Sequence, residues 1–156
     1  MKPDVLVVWP NMPRQMAILE ERYTLHRHDL SKDPDGLIRE IAPRITAIAT
    51  TGGKGLKRDL IEKLPNLKVV ASSGVGYDSI DIAACDARGI VVTNTPDVLT
   101  DDVADLGIAL ILGALRGMAR GDRWVREGRW KREGMMPLTT AITGKRLGIA
   151  GLGRIG

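Results

Sequence analysis

Six residues of this chain, Gly151-Leu152-Gly153-Arg154-Ile155-Gly156, spell a complete G-x-G-x-x-G. Before them stands Arg146-Leu147-Gly148-Ile149-Ala150, which reads as a buried strand. A glycine turn that leaves a strand and opens a helix can hold a dinucleotide. Gly151 permits the turn, Gly153 lets the backbone approach the pyrophosphate, and Gly156 lets the helix pack closely on the strand. The same glycines also serve an ordinary tight turn between strand and helix, so the spacing by itself leaves both readings open. The acidic residue that would read the ribose, about 20 residues further on, is not among these residues.

Two further loops carry residue types suited to anion chemistry. Gly74-Val75-Gly76-Tyr77 follows an apolar run that reads as a strand. Small residues on either side of Val75 leave the backbone open, and exposed N–H groups there could hold a carboxylate without a charged side chain. A plain strand-to-helix turn is the competing reading. Gly52-Gly53-Lys54-Gly55 follows the preceding strand in the same way. Lys54 either brings one cation to that rim or is simply solvated.

Other chemistry-bearing residues read as structural. His26 and His28 belong to no metal spacing and no triad. Asp101 and Asp102 fit the positive first turn of a helix that Thr100 would cap. Cys85 is the single cysteine, so no internal disulfide forms, and a small buried apolar role suits it. Arg116, Arg120, Arg123, Arg126, Arg129, Lys131 and Arg132 crowd one stretch and supply much of the net charge of +4. They read as the solvated face of a helix and its following loop. Attraction of an anionic small molecule and nucleic-acid binding are the other readings of such a run.

Those loops need a frame. Apolar runs at residues 5–9, 23–26, 45–50, 67–71 and 90–93 alternate with helical stretches near residues 12–22, 34–42, 57–64 and 80–88. Asp33-Pro34 is a cap and first helical residue, and Gly89 is a left-handed stop. Short strands separated by helices predict parallel pairing through crossovers. The absence of Phe and aromatic content of 3% leave the core to Val, Ile, Leu and Ala, as suits a parallel sheet buried on both faces. Near residues 94–100 the pattern changes to a helix from Asp101 to Leu115 that is apolar nearly all round, and it predicts burial against a second domain or a partner subunit. A polar helix and loop then lead to the terminal strand. The amino terminus shows no signal-peptide pattern, and the longest apolar run is too short to span a bilayer. A lone cysteine fits a cytoplasmic protein.

Three segments in series, Ser73-Gly74-Val75-Gly76-Tyr77-Asp78, residues 94–105 (NTPDVLTDDVAD) and Gly151-Leu152-Gly153-Arg154-Ile155-Gly156, resemble the D-isomer-specific 2-hydroxyacid dehydrogenases. The resemblance runs from about residue 45 to the end, and the glyoxylate/hydroxypyruvate reductase branch is the nearest. It implies a flavodoxin-like substrate domain over residues 1–98 and the beginning of a Rossmann domain, incomplete, over residues 99–156. It implies NAD or NADP as cofactor and a small 2-oxo or 2-hydroxy acid as substrate, with no nucleic acid and no membrane as partner. Lys54, Gly74, Val75 and Gly76 match substrate-binding positions. Val75, Thr100, Val103, Gly151, Gly153, Arg154, Ile155 and Gly156 match cofactor-binding ones. The helix near residues 101–118 matches a homodimer interface, and Met136 and Leu138 fall in a loop that can approach a partner's active site.

The family's catalytic Arg, Glu and His have no counterpart here and would lie beyond Gly156, so the chain by itself is expected to be inactive. Two other readings compete: an NAD-sensing regulatory protein of the corepressor kind, and a free flavodoxin-like binding module whose apolar helix docks back on its own sheet.

Overall fold

The computed structural model describes residues 2–156. The chain divides into two compact units, Met1–Val98 and Leu99–Gly156.

In the first unit, β1 (Asp4–Val7), β2 (Thr24–Arg27), β3 (Ala47–Thr51), β4 (Val69–Ser73) and β5 (Val91–Thr93) form one sheet in the order β2-β1-β3-β4-β5. Every pairing is parallel. This is the doubly wound, flavodoxin-like order. Four helices make the crossovers: α1 (Pro13–Arg22), α2 (Pro34–Ile41), α3 (Arg58–Glu62) and α4 (Ile82–Asp86). Asp33 caps α2, its carboxylate accepting from the Gly36 N–H at 2.8 Å, and Asp81 caps α4 in the same way at Ala84.

The two faces of the sheet differ. On one, Leu6, Ile48 and Val70 pack with Ile38 and Ile41 of α2, Ile61 of α3, and Ala84 and Cys85 of α4. Such fully buried aliphatic side chains contribute roughly 1.5–3 kcal/mol each. On the other, α1 sets Met16 and Leu19 against Val5, Val7 and Ala49 and reaches no further. Ala71, Thr93 and Val91, the last 59% exposed, lie bare on that side of β4 and β5. The expectation of a sheet buried on both faces therefore holds for β1 and β3 and fails for β4 and β5. The reason is simple: no helix among residues 2–98 crosses that flank. The first strand is also shorter than expected. It ends at Val7, and Trp9 stands 46% exposed on the loop that follows.

The second unit holds α5 (Thr100–Leu115), α6 (Met118–Arg126) and α7 (Arg129–Glu133). Trp124 is its anchor. Its indole N–H donates to the Gly134 carbonyl at 3.0 Å, and the Arg129 guanidinium stacks 3.6 Å from its ring centre. Two expectations are corrected here. Residues 146–150 form no strand and are exposed, because a short apolar strand needs hydrogen-bonded neighbours and no other strand lies in this unit. Thr100 does not cap α5. It is already helical, Leu99 occupies the cap position, and no side chain caps the helix. Within this chain α5 buries none of its residues, and Leu110 is 64% exposed.

Candidate functional site

The carboxyl ends of β1, β3, β4 and β5 deliver four loops to one edge of the first unit. The loops after β3 and β4 are joined backbone to backbone. A Cβ at Gly52 would run into the Gly76 carbonyl oxygen, and one at Gly55, where φ is +70°, would overlap Ser79. The Ser79 hydroxyl donates to the Gly52 carbonyl, which locks the two loops further. Thr50, fully buried, donates from its hydroxyl to the Gly55 carbonyl at 2.9 Å and ties the loop to its strand. Glycine at positions 52 and 55 is thus a demand of close approach.

The loop after β4 is fixed from the other side by residues after β5. The Gly74 N–H donates to Thr95 Oγ1 at 3.0 Å, and Thr95 N–H donates to the Gly74 carbonyl at 2.9 Å. Asn94 Nδ2 donates to the Val75 carbonyl at 2.8 Å. These bonds use up carbonyls and the Gly74 donor. The N–H groups of Val75 and Gly76, both in exposed residues, donate to no acceptor among the described residues. Two adjacent unspent donors, in a loop held by Asn94, Thr95 and Gly52, are groups that can hold one anion.

Lys54 stands on the β3 loop, which abuts this one where Gly52 meets Gly76. Its backbone N–H reaches Thr51 Oγ1 at 3.4 Å, and its ammonium lies 5.3 Å from the centre of the Trp9 ring. The two histidines are elsewhere. His26 is in β2, the edge opposite β5, and its ring Nε2 hydrogen-bonds to Asp4 at 2.6 Å. His28 follows β2. Burial holds its imidazole below the ordinary value of 6.5. The nearby Lys54 and Lys63 push it the same way, and Asp29 and Asp35 oppose. Neither histidine is placed among the residues of the β4 loop. Among the described residues no cluster of His, Cys, Asp or Glu could hold a metal ion.

The residues expected to touch a dinucleotide fall in the second unit, apart from Val75. Thr100 and Val103 share the first turn of α5 with Asp101 and Asp102. Gly151 has a φ of +98°, a Cβ at Gly153 would meet open space, and a Cβ at Gly156 would strike the Gly151 carbonyl oxygen. Residues 151–156 therefore fold into a turn that demands glycine at 151 and 156 and leaves the backbone at Gly153 open. Arg154 and Ile155 sit in that turn, exposed and outside any helix. The glycines fit a pyrophosphate; the helix N-terminus that would face it is not formed by these residues.

The model of the D-isomer specific 2-hydroxyacid dehydrogenase catalytic domain matches residues 5–147. This chain belongs to that family. Glyoxylate/hydroxypyruvate reductase A of Arabidopsis thaliana is 49% identical over 152 residues, covering 97% of this chain and 48% of the relative. The structure of a 2-hydroxyacid dehydrogenase from Ketogulonicigenium vulgare superposes with a TM-score of 0.90 at 46% identity, covering 99% of this chain and 49% of that one. An NADPH-dependent glyoxylate/hydroxypyruvate reductase from Sinorhizobium meliloti, solved with NADP and malonate, gives a TM-score of 0.83 at 38% identity over 100% of this chain and 48% of that one. The chain thus spans about half the length of the dehydrogenases and reductases it matches.

Of the residues singled out from sequence, Gly74, Val75 and Gly76 share the β4 loop of the first unit, Lys54 lies on the adjoining β3 loop, and Gly151, Gly153, Arg154, Ile155 and Gly156 share one turn of the second. Three contributors escaped. Asn94 and Thr95 orient the loop after β4, and both stand in the quoted motif, though the residue types alone gave them no role. Trp9 left no signal, since its partner is 45 positions away and meets it only because β1 and β3 are neighbours.

Proposed function

We propose that these residues are the substrate-holding half of an NAD(P)-dependent reductase that converts small 2-oxo acids, glyoxylate or hydroxypyruvate, to 2-hydroxy acids. The observation that carries this is the pair of unspent N–H groups at Val75 and Gly76. They suit one carboxylate, the group every 2-oxo acid presents, and a backbone cradle recognises it regardless of the rest of the molecule. Gly74 gives the cradle its turn and Lys54, on the adjoining β3 loop, adds a cation. Residues 1–98 are then the substrate domain, and residues 99–156 open the domain that holds the dinucleotide.

NAD or NADP, when bound, supplies the hydride. Gly151, Gly153, Arg154, Ile155 and Gly156 would hold its pyrophosphate, and Val75, Thr100 and Val103 would lie near its nicotinamide. No histidine stands at the β4 loop, so the proton donor comes from outside these residues. The chain alone is expected to bind carboxylates and to turn nothing over.

The exposed apolar side chains of α5, among them Leu106, Ile108 and Leu110, support a homodimer through the helix near residues 101–118. A membrane alternative finds no support in α5, since no helix among the described residues is long and apolar enough to cross one.

The test is twofold. Loss of nicotinamide absorbance is followed with glyoxylate and hydroxypyruvate, using this chain and the reductase that contains it. Turnover by the longer protein and none by the chain is expected. Failure of the longer protein on both acids with both cofactors would sink the substrate assignment, and turnover by the chain would sink the division of labour.

A further inference from the structure

The strand order places a topological switch point between β1 and β3. The chain leaves β1 for α1 on one face of the sheet and leaves β3 for α3 on the other, so the two loops diverge and open a crevice at the carboxyl ends. Open α/β sheets bind their ligands in such crevices. Here the crevice is flanked by Trp9 on the β1 side and by residues 52–55 on the β3 side.

These flanks are unequal in stiffness. The backbone of the β3 loop is fixed, because Gly52 and Gly55 abut Gly76 and Ser79 and Thr50 holds the Gly55 carbonyl. The four-carbon stem of Lys54 is not fixed by those contacts, and Gly53 beside it meets open space. A lysine in that setting spreads its ammonium over many rotamers. The aromatic face it meets among the described residues is Trp9, with the ammonium 5.3 Å from its ring centre, inside the range of a cation–π contact. The indole is held at its base by the end of β1, where Val8 N–H donates to the Ala49 carbonyl at 2.9 Å across to β3. Trp9 and Lys54 are therefore indexed to the same pair of strands.

We propose that Trp9 is a positioning residue for substrate capture. It gathers the Lys54 ammonium over the switch-point crevice, on the loop that abuts the Val75–Gly76 cradle through Gly52, and raises the local concentration of a fixed cation where a carboxylate enters. Trp9 acts through Lys54 and through charge. It follows that its contribution vanishes for a neutral ligand, and that any aromatic face at position 9 restores it in part. The proposal rests on the carboxylate reading of the β4 loop and adds a second element to it.

The experiment uses the 156-residue chain, labelled with ¹⁵N, titrated with glycolate and separately with its neutral counterpart glycolamide. Backbone amides of Val75 and Gly76 report the cradle; the Trp9 indole N–H, identified by its loss in Trp9→Phe, reports the cation–π partner. Glycolate is expected to move all three signals. Trp9→Leu is expected to weaken glycolate about two- to five-fold, with Trp9→Phe recovering part of the loss and glycolamide responding equally to all variants. Once Lys54→Met is in place, adding Trp9→Leu should leave glycolate affinity where it was.

If Val75 and Gly76 respond while the Trp9 indole and the Trp9→Leu affinity do not change, the positioning role is wrong and the cradle stands. If glycolamide loses as much as glycolate in Trp9→Leu, the effect is structural and the proposal is overturned. If neither cradle nor indole responds to glycolate, both readings fall together.

Discussion

A methyl group decides much at position 52. Gly52 touches the Gly76 carbonyl so closely that any Cβ must part the β3 and β4 loops, and backbone cannot yield as a flexible side chain does. Gly52→Ala is expected to cost roughly 1–3 kcal/mol, the range for forced overpacking, and to broaden or shift the Val75 and Gly76 amides. Urea titration with amide spectra checks both; an unchanged midpoint would refute the close approach. Charge supplies a second residue-scale test. Arg27 grips Asp29 with two hydrogen bonds, at 2.8 and 2.6 Å, and this holds the Asp29 carboxyl below its ordinary value of 3.8. A depressed carboxyl stabilises the fold above its unfolded value and loses that contribution as pH falls through the folded one. His28, depressed from 6.5 by burial, has the same sign: the unfolded chain takes up the proton first, so acidification costs stability. Stability is expected to decline in two stages, below about pH 6.5 and again below about pH 3.8, from the unfolded values of the two groups. His28→Gln should flatten the first stage and Asp29→Asn the second, read by denaturant midpoints across pH. The glycine spacing that marked these loops was legible because a tight turn is written within a few residues. The contact of Trp9 with Lys54 was not, since it is written in strand order.

Helix α3 shows how an element of five residues persists. Its last carbonyls have no intrahelical donors, as at any helix end. Arg88, just past α4, spreads its guanidinium over the last turn of α3 and the segment that follows it: one Nη donates to Ile61 O and the other to Leu64 O at 2.8 Å and Pro65 O at 3.0 Å. One side chain thus clasps two crossovers, at the negative end of the helix where a cation belongs. Arg88→Ala is expected to cost about 2 kcal/mol, in line with charged hydrogen bonds. Arg88→Lys should recover less than half, because an ammonium cannot fork across three carbonyls. Equal midpoints for wild type and Arg88→Ala would dismiss the clasp. Periodicity found the strands and helices of the first unit to within a few residues, since each is a local apolar pattern that its neighbours confirm. It failed at residues 146–150, where the same pattern has no strand to pair with. It failed also at Thr100, where one residue of helical register moved the cap to Leu99. These are differences of context and register, which no window of sequence contains.

The two units differ sharply in what they bury. In residues 99–156 Trp124 is the one buried hydrophobic side chain, while the first unit carries a core across its sheet. Local opening follows buried apolar contact, so trypsin is expected to cut among Arg116, Arg120, Arg123, Arg126 and Arg129 long before it cuts within the sheet. Mass spectrometry of early products decides this; first cleavage at Lys54 or Arg58 would contradict it. The oligomer belongs to this scale too. Sedimentation should give a dimer, and Leu110→Asp, which sets a charge on the exposed stripe of α5, a monomer of unchanged helicity. The strand order β2-β1-β3-β4-β5 carries one more consequence, in time. After β1 and β2 have paired, β3 joins the free flank of β1, and β4 and β5 each join the strand made just before them, so the sheet grows outward in the order of synthesis. Translation at about 5–20 residues per second is slow beside the microseconds of helix formation. The growing sheet can therefore settle strand by strand on the ribosome. Its carboxylate cradle, built from the loops of β3, β4 and β5, is the last piece of the unit to close.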